Sequence, residues 1–251
     1  MPSVGSALEA LLLRVVPGLA AEWQGADAGD VARIEAIAGR PLPPVYAWFL
    51  SRMGQSMGPM GYPTIDFSAR GVLSAYSAQR IERHPRFLLI GYEHDEVSPL
   101  HYFYDLDRPA REDALVVRML TPKDESHEQF ETFREMLAWG ELYGQRVAKA
   151  QQQCRGTLRA PGGDLHGPLA SVLRGLGFAT PIETGAFCGL YERADATLVC
   201  SGNPDDAPGT QTFSVGGSDA GALGQILSSV ANGSGLELTL SGWEPPLPSD
   251  G

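Results

Sequence analysis

The segment GRPLPPVYAWFLSRMG, at positions 39–54, places two adjacent prolines directly before a stretch with helical periodicity. Pro44 suits the first position of a helix, because its fixed φ is helical and its missing N–H would have no partner there. It also forces Pro43 into an extended conformation, which fixes the direction of the incoming chain. We therefore expect a short helix with a sharply defined start. Gly54 is expected to end it in the left-handed conformation.

The apolar residues of this helix recur at the spacing of one buried stripe. They are Tyr46, Phe49, Leu50 and Met53. A similar stripe near the N-terminus predicts an amphipathic helix rather than a signal peptide, because Glu9 and Arg14 interrupt the apolar segment and no basic stretch precedes it. Its members are Leu8, Leu11, Leu12 and Val15. On this basis we expect the protein in the cytoplasm.

The acidic composition argues against a nucleic-acid-binding surface. The chain has 30 acidic and 19 basic residues, for a net charge of −11, and an acidic surface repels phosphate backbones. No apolar run approaches the ~18 residues of a membrane span. Three cysteines are too few for a disulfide framework. Two of them, Cys188 and Cys200, are expected opposite each other across a hairpin with a three-residue turn at 193–195, as reduced core thiols.

A change in composition near residue 155 predicts a domain boundary. Residues 1–155 hold 16 basic and 20 acidic residues, whereas residues 156–251 hold 3 and 10. The Gly- and Pro-containing segment 155–168 has the character of a linker. We therefore predict one domain at 1–155 and a second, smaller domain at 156–251.

Both predicted domains combine helices with strands, so the fold class is expected to be α+β. In the first, a helix at 28–38 is closed by Gly39, and strands at 87–92, 100–106 and 114–120 are expected to form an antiparallel meander against the helices. The S-x-x-Q segment from Ser126 to Gln129 predicts a helix start, with Phe130, Phe133 and Leu137 on one face. The second domain is expected to pack helices on one sheet. Its predicted elements are a helix at 168–177, a hairpin at 186–201, a strand at 211–215, a helix at 219–231 and a strand at 236–243.

The sequence carries none of the common catalytic or nucleotide-binding motifs. The segment HDEVSPLH holds His94, Asp95, Glu96 and His101, which are ligand-type residues, but loops collect such residues for solvation and we predict no metal site. Apolar surroundings raise the pKa of a thiol and make it inert, so no catalytic cysteine is expected. No catalytic residue and no cofactor is predicted.

The first domain resembles the SUKH superfamily, the immunity proteins related to the yeast Smi/Knr cell-wall-synthesis regulator. The opening motif is DVARIEAIAGRPLPPVYAWFLSRMG, in which the matching residues are Ile34, Glu35, Leu42, Pro43, Tyr46, Phe49 and Leu50. Further matches follow downstream at Leu89-Ile90-Gly91, Tyr104-Asp105-Leu106, Val116-Val117, and Phe130 with Phe133 and Leu137. The resemblance covers roughly residues 28–140; residues 156–251 match no family known to us.

The resemblance implies an α+β fold and a binding function, in which the protein neutralises a cognate polymorphic toxin by direct contact. Many toxins are basic nucleases, and an acidic partner would associate with them quickly. The expected contact surface lies on two acidic loops: Glu93, Asp95 and Glu96 on one, and Asp105, Asp107, Glu112 and Asp113 on the next. Two alternatives stay open. One is a regulatory or scaffold protein without a toxin; the other is an enzyme whose site lies in the second domain, at Cys188 or at His166.

Overall fold

The structure is a computed structural model that describes residues 5–62, 64–95, 97, 99–206 and 209–246. The chain divides into two units, Met1–Leu137 and Ala138–Gly251, whereas the sequence predicted a boundary after residue 155. The segment 155–168 is not a linker. A strand, Gln152–Arg159, runs through its first part, and a helix, His166–Gly175, begins in its last part.

The first unit combines helices with a five-stranded antiparallel sheet and a separate two-stranded one. Its helices are α1 (Ser6–Val15), α2 (Leu19–Glu22), α3 (Ala28–Ala38), α4 (Pro44–Met53), α5 (Ala69–Ser77) and the start of α6 (Phe133–Leu142). Its strands are β1 (Trp23–Gln24), β2 (Ser56–Met57), β3 (Ile65–Asp66), β4 (Phe87–Glu93), β5 (His101–Ala110), β6 (Asp113–Met119) and β7 (His127–Phe130). The strands β3 to β7 neighbour each other in sequence order and pair antiparallel, so the predicted meander and the α+β class are confirmed.

Helix α4 begins at Pro44, as its sequence predicted, and Pro43 has the extended ψ of 134° that the following proline imposes. The prediction for Gly54 is wrong, because its φ is −68°. Glycine is required there for a different reason. A Cβ on Gly54 would lie 2.9 Å from the Cβ of Ala26, in the segment whose backbone N–H donates to the Leu50 carbonyl at 2.8 Å. A Cβ there would also lie 2.5 Å from the Leu50 carbonyl oxygen, so the position lacks room for a side chain rather than requiring an unusual φ.

Four aromatic rings from α4, β5 and α6 form the centre of the first core. The ring of Phe133 lies edge-on to that of Phe49 at 5.0 Å and to that of Tyr104 at 5.9 Å. Tyr46 meets Tyr104 edge-on at 5.3 Å. All four side chains are fully buried, and edge-to-face geometry at these distances stabilises beyond the area buried.

Helix α6 begins later than the sequence predicted. Residues 127–130 form strand β7, which pairs with β6, so the predicted helix start at Ser126 is wrong. The helix is capped by Thr132, whose hydroxyl oxygen accepts a hydrogen bond from the Glu135 backbone N–H at 3.2 Å. Thr132 and Glu135 have the same capping-box spacing as the predicted pair, but the pairing of β7 with the sheet selects this later start.

The second unit packs two helices against a five-stranded sheet. Its elements, after the end of α6 and a π-helical turn at Tyr143–Val147, are β8 (Gln152–Arg159), α7 (His166–Gly175), β9 (Cys188–Glu192), β10 (Ala196–Ser201), β11 (Thr210–Gly217), α8 (Ala220–Gly233) and β12 (Glu237–Glu244). The strand order is β12-β8-β11-β10-β9. The apolar faces of the helices join the core of this sheet through Leu169, Leu173, Leu223, Ile226, Leu227 and Val230. The strands and helices predicted for this half are present.

The β9–β10 hairpin differs from its prediction by one residue of register. Cys188 pairs with Ser201 and Cys200 with Gly189, so the two cysteines are not directly opposite. The turn is tighter than expected, because the Arg193 N–H donates to the Ala196 carbonyl at 2.8 Å and leaves two residues between them. All the cysteines are free thiols.

Candidate functional site

The predicted acidic surface is largely internal, and the expectation of exposure is wrong at three positions. Glu93, Asp105 and Asp113 are only 6%, 1% and 2% exposed. Asp95 and Glu112 are exposed. Glu96, another of the predicted contact residues, lies outside the described residues.

Asp105 and Asp107 are bound by arginines of the same unit. Both carboxylate oxygens of Asp105 accept from Arg86, at 2.9 Å from Nε and 2.7 Å from Nη2. Asp107, on the same strand, pairs with Arg40 at 3.0 Å and is about half exposed. Arg40 also donates to the carbonyls of Leu106 and Pro85. These carboxylates tie β5 to neighbouring segments, and only Asp107 is accessible to a partner.

Glu93 is the last residue of β4, and its side chain is held by hydrogen bonds to neighbouring residues. Its Oε2 accepts from the hydroxyl of Thr64 at 3.3 Å, and its Oε1 accepts from the backbone N–H of Asp95 at 3.2 Å. Arg118 lies 3.9 Å from the same carboxylate. The Glu93 backbone N–H donates to Nδ1 of His101 at 3.0 Å. Burial lowers the pKa of His101, with the nearby Glu93 carboxylate opposing the shift, so this histidine is a neutral part of the strand end.

Asp113 is a buried carboxylate with three hydrogen-bond donors. The hydroxyl of Tyr104 donates to it at 2.6 Å, and the backbone N–H groups of Ala114 and Arg134 donate at 3.0 and 2.9 Å. Burial raises its pKa to about 6, while these hydrogen bonds act in the opposite direction. Its neighbour Glu112 has a left-handed φ of 63°.

The hairpin of β5 and β6 also completes the start of the proline helix. The Glu112 carbonyl accepts the backbone N–H of Val45 at 3.2 Å. That donor lies in the first turn of α4, where an N–H has no partner inside the helix. The left-handed Glu112 therefore satisfies a helix terminus, which is a structural role.

An open groove of about 880 Å³ lies along α3 and α5. Each helix has an inner and an outer face: Ile34 and Val72 are fully buried, whereas Arg33 and Arg70 line the groove. The groove is lined by both apolar and charged side chains. The apolar ones include Ile37 and Leu73, and the charged ones are Asp27, Asp30, Arg33, Arg70 and Arg83. The sequence analysis did not predict this site. The polar faces of the two helices, opposite their buried stripes, are the feature that could have indicated it.

The second unit places His166 inside a hydrogen-bond network. His166 begins α7 rather than lying in a linker. Its Nδ1 is 3.2 Å from the Tyr191 hydroxyl, and its Nε2 is 3.0 Å from Nε2 of Gln211. Since the amide nitrogen of Gln211 is a donor and also donates to the Ala186 carbonyl at 2.6 Å, Nε2 of His166 is the acceptor and the ring is neutral. This network joins α7 to the sheet.

The cysteines give no sign of an activated thiol. Cys154, Cys188 and Cys200 are all buried. Burial raises the pKa of Cys200 far above the ordinary thiol range, and it also raises that of Cys154. A thiol that stays protonated is a poor nucleophile. The arrangement supports core packing at these positions.

The described residues contain neither a candidate metal cluster nor a helix that could span a membrane. Over residues 5–62, 64–95, 97, 99–206 and 209–246, no three His, Cys, Asp or Glu side chains are grouped so that they would hold a metal ion. His94 and His101 instead each contact the Tyr92 ring. In the same part of the chain, every helix is too short or too polar to cross a bilayer.

Comparison with known proteins returned no matching family model, no matching curated protein and no matching solved structure.

Proposed function

We propose that this protein is an immunity protein of the bacterial cytoplasm that binds and neutralises a cognate toxin by direct contact, without catalysis. The proposal is supported by the SUKH-like motif in the sequence and by the way its elements pack. The free cysteines fit a reducing compartment. The neutral His166 and the buried thiols give the enzyme alternative no specific support.

The single observation that carries the proposal is the aromatic core of the first unit. Tyr46 and Phe49, Tyr104, and Phe133 come from three separate stretches of the SUKH-like motif, and their rings contact one another. The motif therefore serves as a scaffold, and function belongs to the surfaces that it supports.

The α3–α5 groove is the surface that we assign to the partner. Its volume of about 880 Å³ accommodates several side chains of another protein. Its walls carry arginines and carboxylates next to apolar side chains, and arginine is enriched at protein interfaces. The exposed Asp95 and Glu112, with the net charge of −11, would speed the approach of a basic toxin.

The test is photo-crosslinking in cells of the native host. A photoreactive amino acid replaces Ser74, an exposed groove residue of α5, and the matched control carries it at Ser228, an exposed serine of α8. We expect one partner to be captured at position 74 but not at 228, and mass spectrometry then identifies it. Capture of the same proteins at both positions would overturn the assignment of the groove. Capture of metabolic or cell-wall proteins would favour a regulatory scaffold.

A further inference from the structure

The turn that follows α5 gathers positive charge, although the chain as a whole is acidic, with a net charge of −11. Arg80 and Arg83 lie in this turn, and Lys123 lies in the loop after β6. These three cations line one cavity of about 270 Å³ together with His84, Glu82 and Thr121. We refer to it as the turn cavity. It shares Arg83 with the groove along α3 and α5, but cations predominate among its charged lining residues, whereas the groove is mixed.

The positive charge of the turn cavity is poorly compensated. Glu82 is the one carboxylate among its lining residues. It pairs with Lys123 at 2.5 Å, but both side chains are about 70% exposed, and such exposed pairs contribute little. Among the residues that the structure describes, Arg83 has no ion-pair partner. The cavity therefore has an excess of about two positive charges, which an anion of charge −2 would balance.

A second acidic residue close to Lys123 is already engaged. Both the backbone N–H and the hydroxyl of Thr121 donate to Oδ2 of Asp124, at 2.8 and 2.7 Å. The Asp124 backbone N–H returns a bond to the Thr121 carbonyl at 3.0 Å. This closed turn holds the loop that carries Lys123 and directs the Asp124 carboxylate toward Thr121; Asp124 is not among the residues that line the cavity.

The backbone that carries the arginines is held in an unusual conformation. Gln79 has a left-handed φ of 57°, which is uncommon for a residue other than glycine. The backbone N–H groups of Arg80 and Ile81 donate to the Ala75 carbonyl at 3.0 and 3.3 Å, and Ile81 is buried. The Arg80 guanidinium lies over the Tyr92 ring at 5.7 Å. These contacts position Arg80 before any ligand binds.

His84 adds a hydrogen-bond donor at the cavity wall. Its Nδ1 accepts the backbone N–H of Arg86 at 3.2 Å, so in the neutral ring the proton is on Nε2. The ring also contacts Phe87, at 5.2 Å between the ring centroids.

We propose that the turn cavity binds the phosphate group of a small phosphomonoester. Phosphate carries close to two negative charges near neutral pH, and arginine forks match its oxygens. A cavity of about 270 Å³ lies at the lower end of ligand-site volumes, so it holds the phosphate and the adjoining part of its substituent. The acidic residues elsewhere oppose binding weakly, because charges beyond about 8 Å are screened at physiological salt. The proposal does not rest on the proposed partner groove, although Arg83 lines both sites.

Calorimetric titration at constant ionic strength tests the proposal, with inorganic phosphate, phenyl phosphate and acetate as probes. We expect saturable one-to-one binding of phenyl phosphate. Inorganic phosphate is expected to bind more weakly; equal affinity would identify free phosphate as the ligand of the same site. Arg83→Gln and Lys123→Gln are each expected to weaken binding about tenfold. The control is Lys149→Gln, which removes the other lysine of the chain, an exposed residue of the second unit; it is expected to leave the affinity unchanged.

Three results would overturn the proposal. One is the absence of saturable heat for both phosphates. Another is an affinity that Lys123→Gln and Lys149→Gln reduce equally, which indicates non-specific charge. The third is binding of acetate as tight as that of phenyl phosphate, because the site would then not select phosphate.

Discussion

The hydroxyl of Tyr104 donates a hydrogen bond of 2.6 Å to the carboxylate of Asp113 in the interior of the first unit. Both side chains are fully or almost fully buried. The pair joins β5 to the start of β6, and the backbone N–H of Arg134 connects the same carboxylate to α6. A residue that the sequence placed on a binding surface is therefore a buried link between the elements of the sheet and the helix above it.

Asp113 is expected to make stability fall as pH rises. Its pKa is raised from 3.8 to about 6 in the folded state, chiefly by burial. The folded state thus binds the proton more tightly than the unfolded state does. The stabilisation from this group is therefore present in full below pH 3.8 and is lost as the pH rises through about 6. The shift corresponds to about 3 kcal/mol. Denaturant unfolding across this pH range measures the free energy of unfolding. We expect the wild type to show this decrease with rising pH and Asp113→Asn to lack it.

The control for this prediction is Glu112→Gln, the exposed neighbour, which is expected to keep the wild-type slope. The readout is the difference between proteins, because the lowered pKa of His101 contributes a slope of opposite sign. Parallel pH profiles for the wild type and Asp113→Asn would contradict the prediction.

Asp105 and Asp107 are expected to differ in their effect on stability, although both pair with arginines on one strand. Asp105→Ala removes three hydrogen bonds, two from Arg86 and one from the backbone N–H of Asp107, at a carboxylate that is 1% exposed, and we expect a loss of about 1–3 kcal/mol. Asp107→Ala removes a pair in which the two side chains are 40% and 55% exposed, so at most about 1 kcal/mol is expected. Urea unfolding measures both; equal losses would refute the distinction.

Thr132 is expected to stabilise α6 as its N-terminal cap. Thr132→Ala removes the acceptor of the Glu135 N–H and is expected to cost about 1 kcal/mol. The matched control is Ser126→Ala, at the position that sequence spacing alone favoured, with an expected effect within about 0.5 kcal/mol. Thermal unfolding measures the stability of both variants. A larger loss for Ser126→Ala than for Thr132→Ala would contradict the assignment of Thr132 as the cap of α6.

The cysteines are expected to resist alkylation in the native protein. Cys188 and Cys200 are buried, and burial strongly raises the pKa of Cys200. Iodoacetamide at neutral pH is expected to modify no thiol rapidly in the folded state and all three in denaturant. Rapid modification of Cys188 alone would instead support the enzyme alternative.

The sequence was most informative where local rules agree with packing. Pro44 and the apolar spacing of Tyr46, Phe49 and Leu50 define α4, and each of these aromatic or aliphatic side chains is buried as the stripe predicted. The three long strands were also predictable, since their apolar runs are bounded by turn residues and follow one another at regular spacing.

The sequence was least informative about the partners of charged residues, one helix start and one hairpin register. Asp105 is neutralised by Arg86, which is distant along the chain and becomes adjacent only when β4 and β5 pair. Ser126 has the residue types of a helix cap, but pairing of β7 with the sheet overrides that local preference. The register of Cys188 depended on a turn that is one residue shorter than its composition indicated. The first two outcomes depend on contacts between strands, whereas the third depends on the length of a local turn.

The most direct test of the proposed function is growth of a heterologous host that expresses the partner captured through position 74. We expect the partner alone to stop growth and co-expression of this protein to restore it. Combining Arg33→Glu with Arg70→Glu on the walls of the groove is expected to reduce rescue by at least about tenfold, whereas Arg146→Glu, an exposed arginine outside the groove, is expected to rescue fully. A partner that does not impair growth, or that is not relieved by the wild-type protein, would contradict the account.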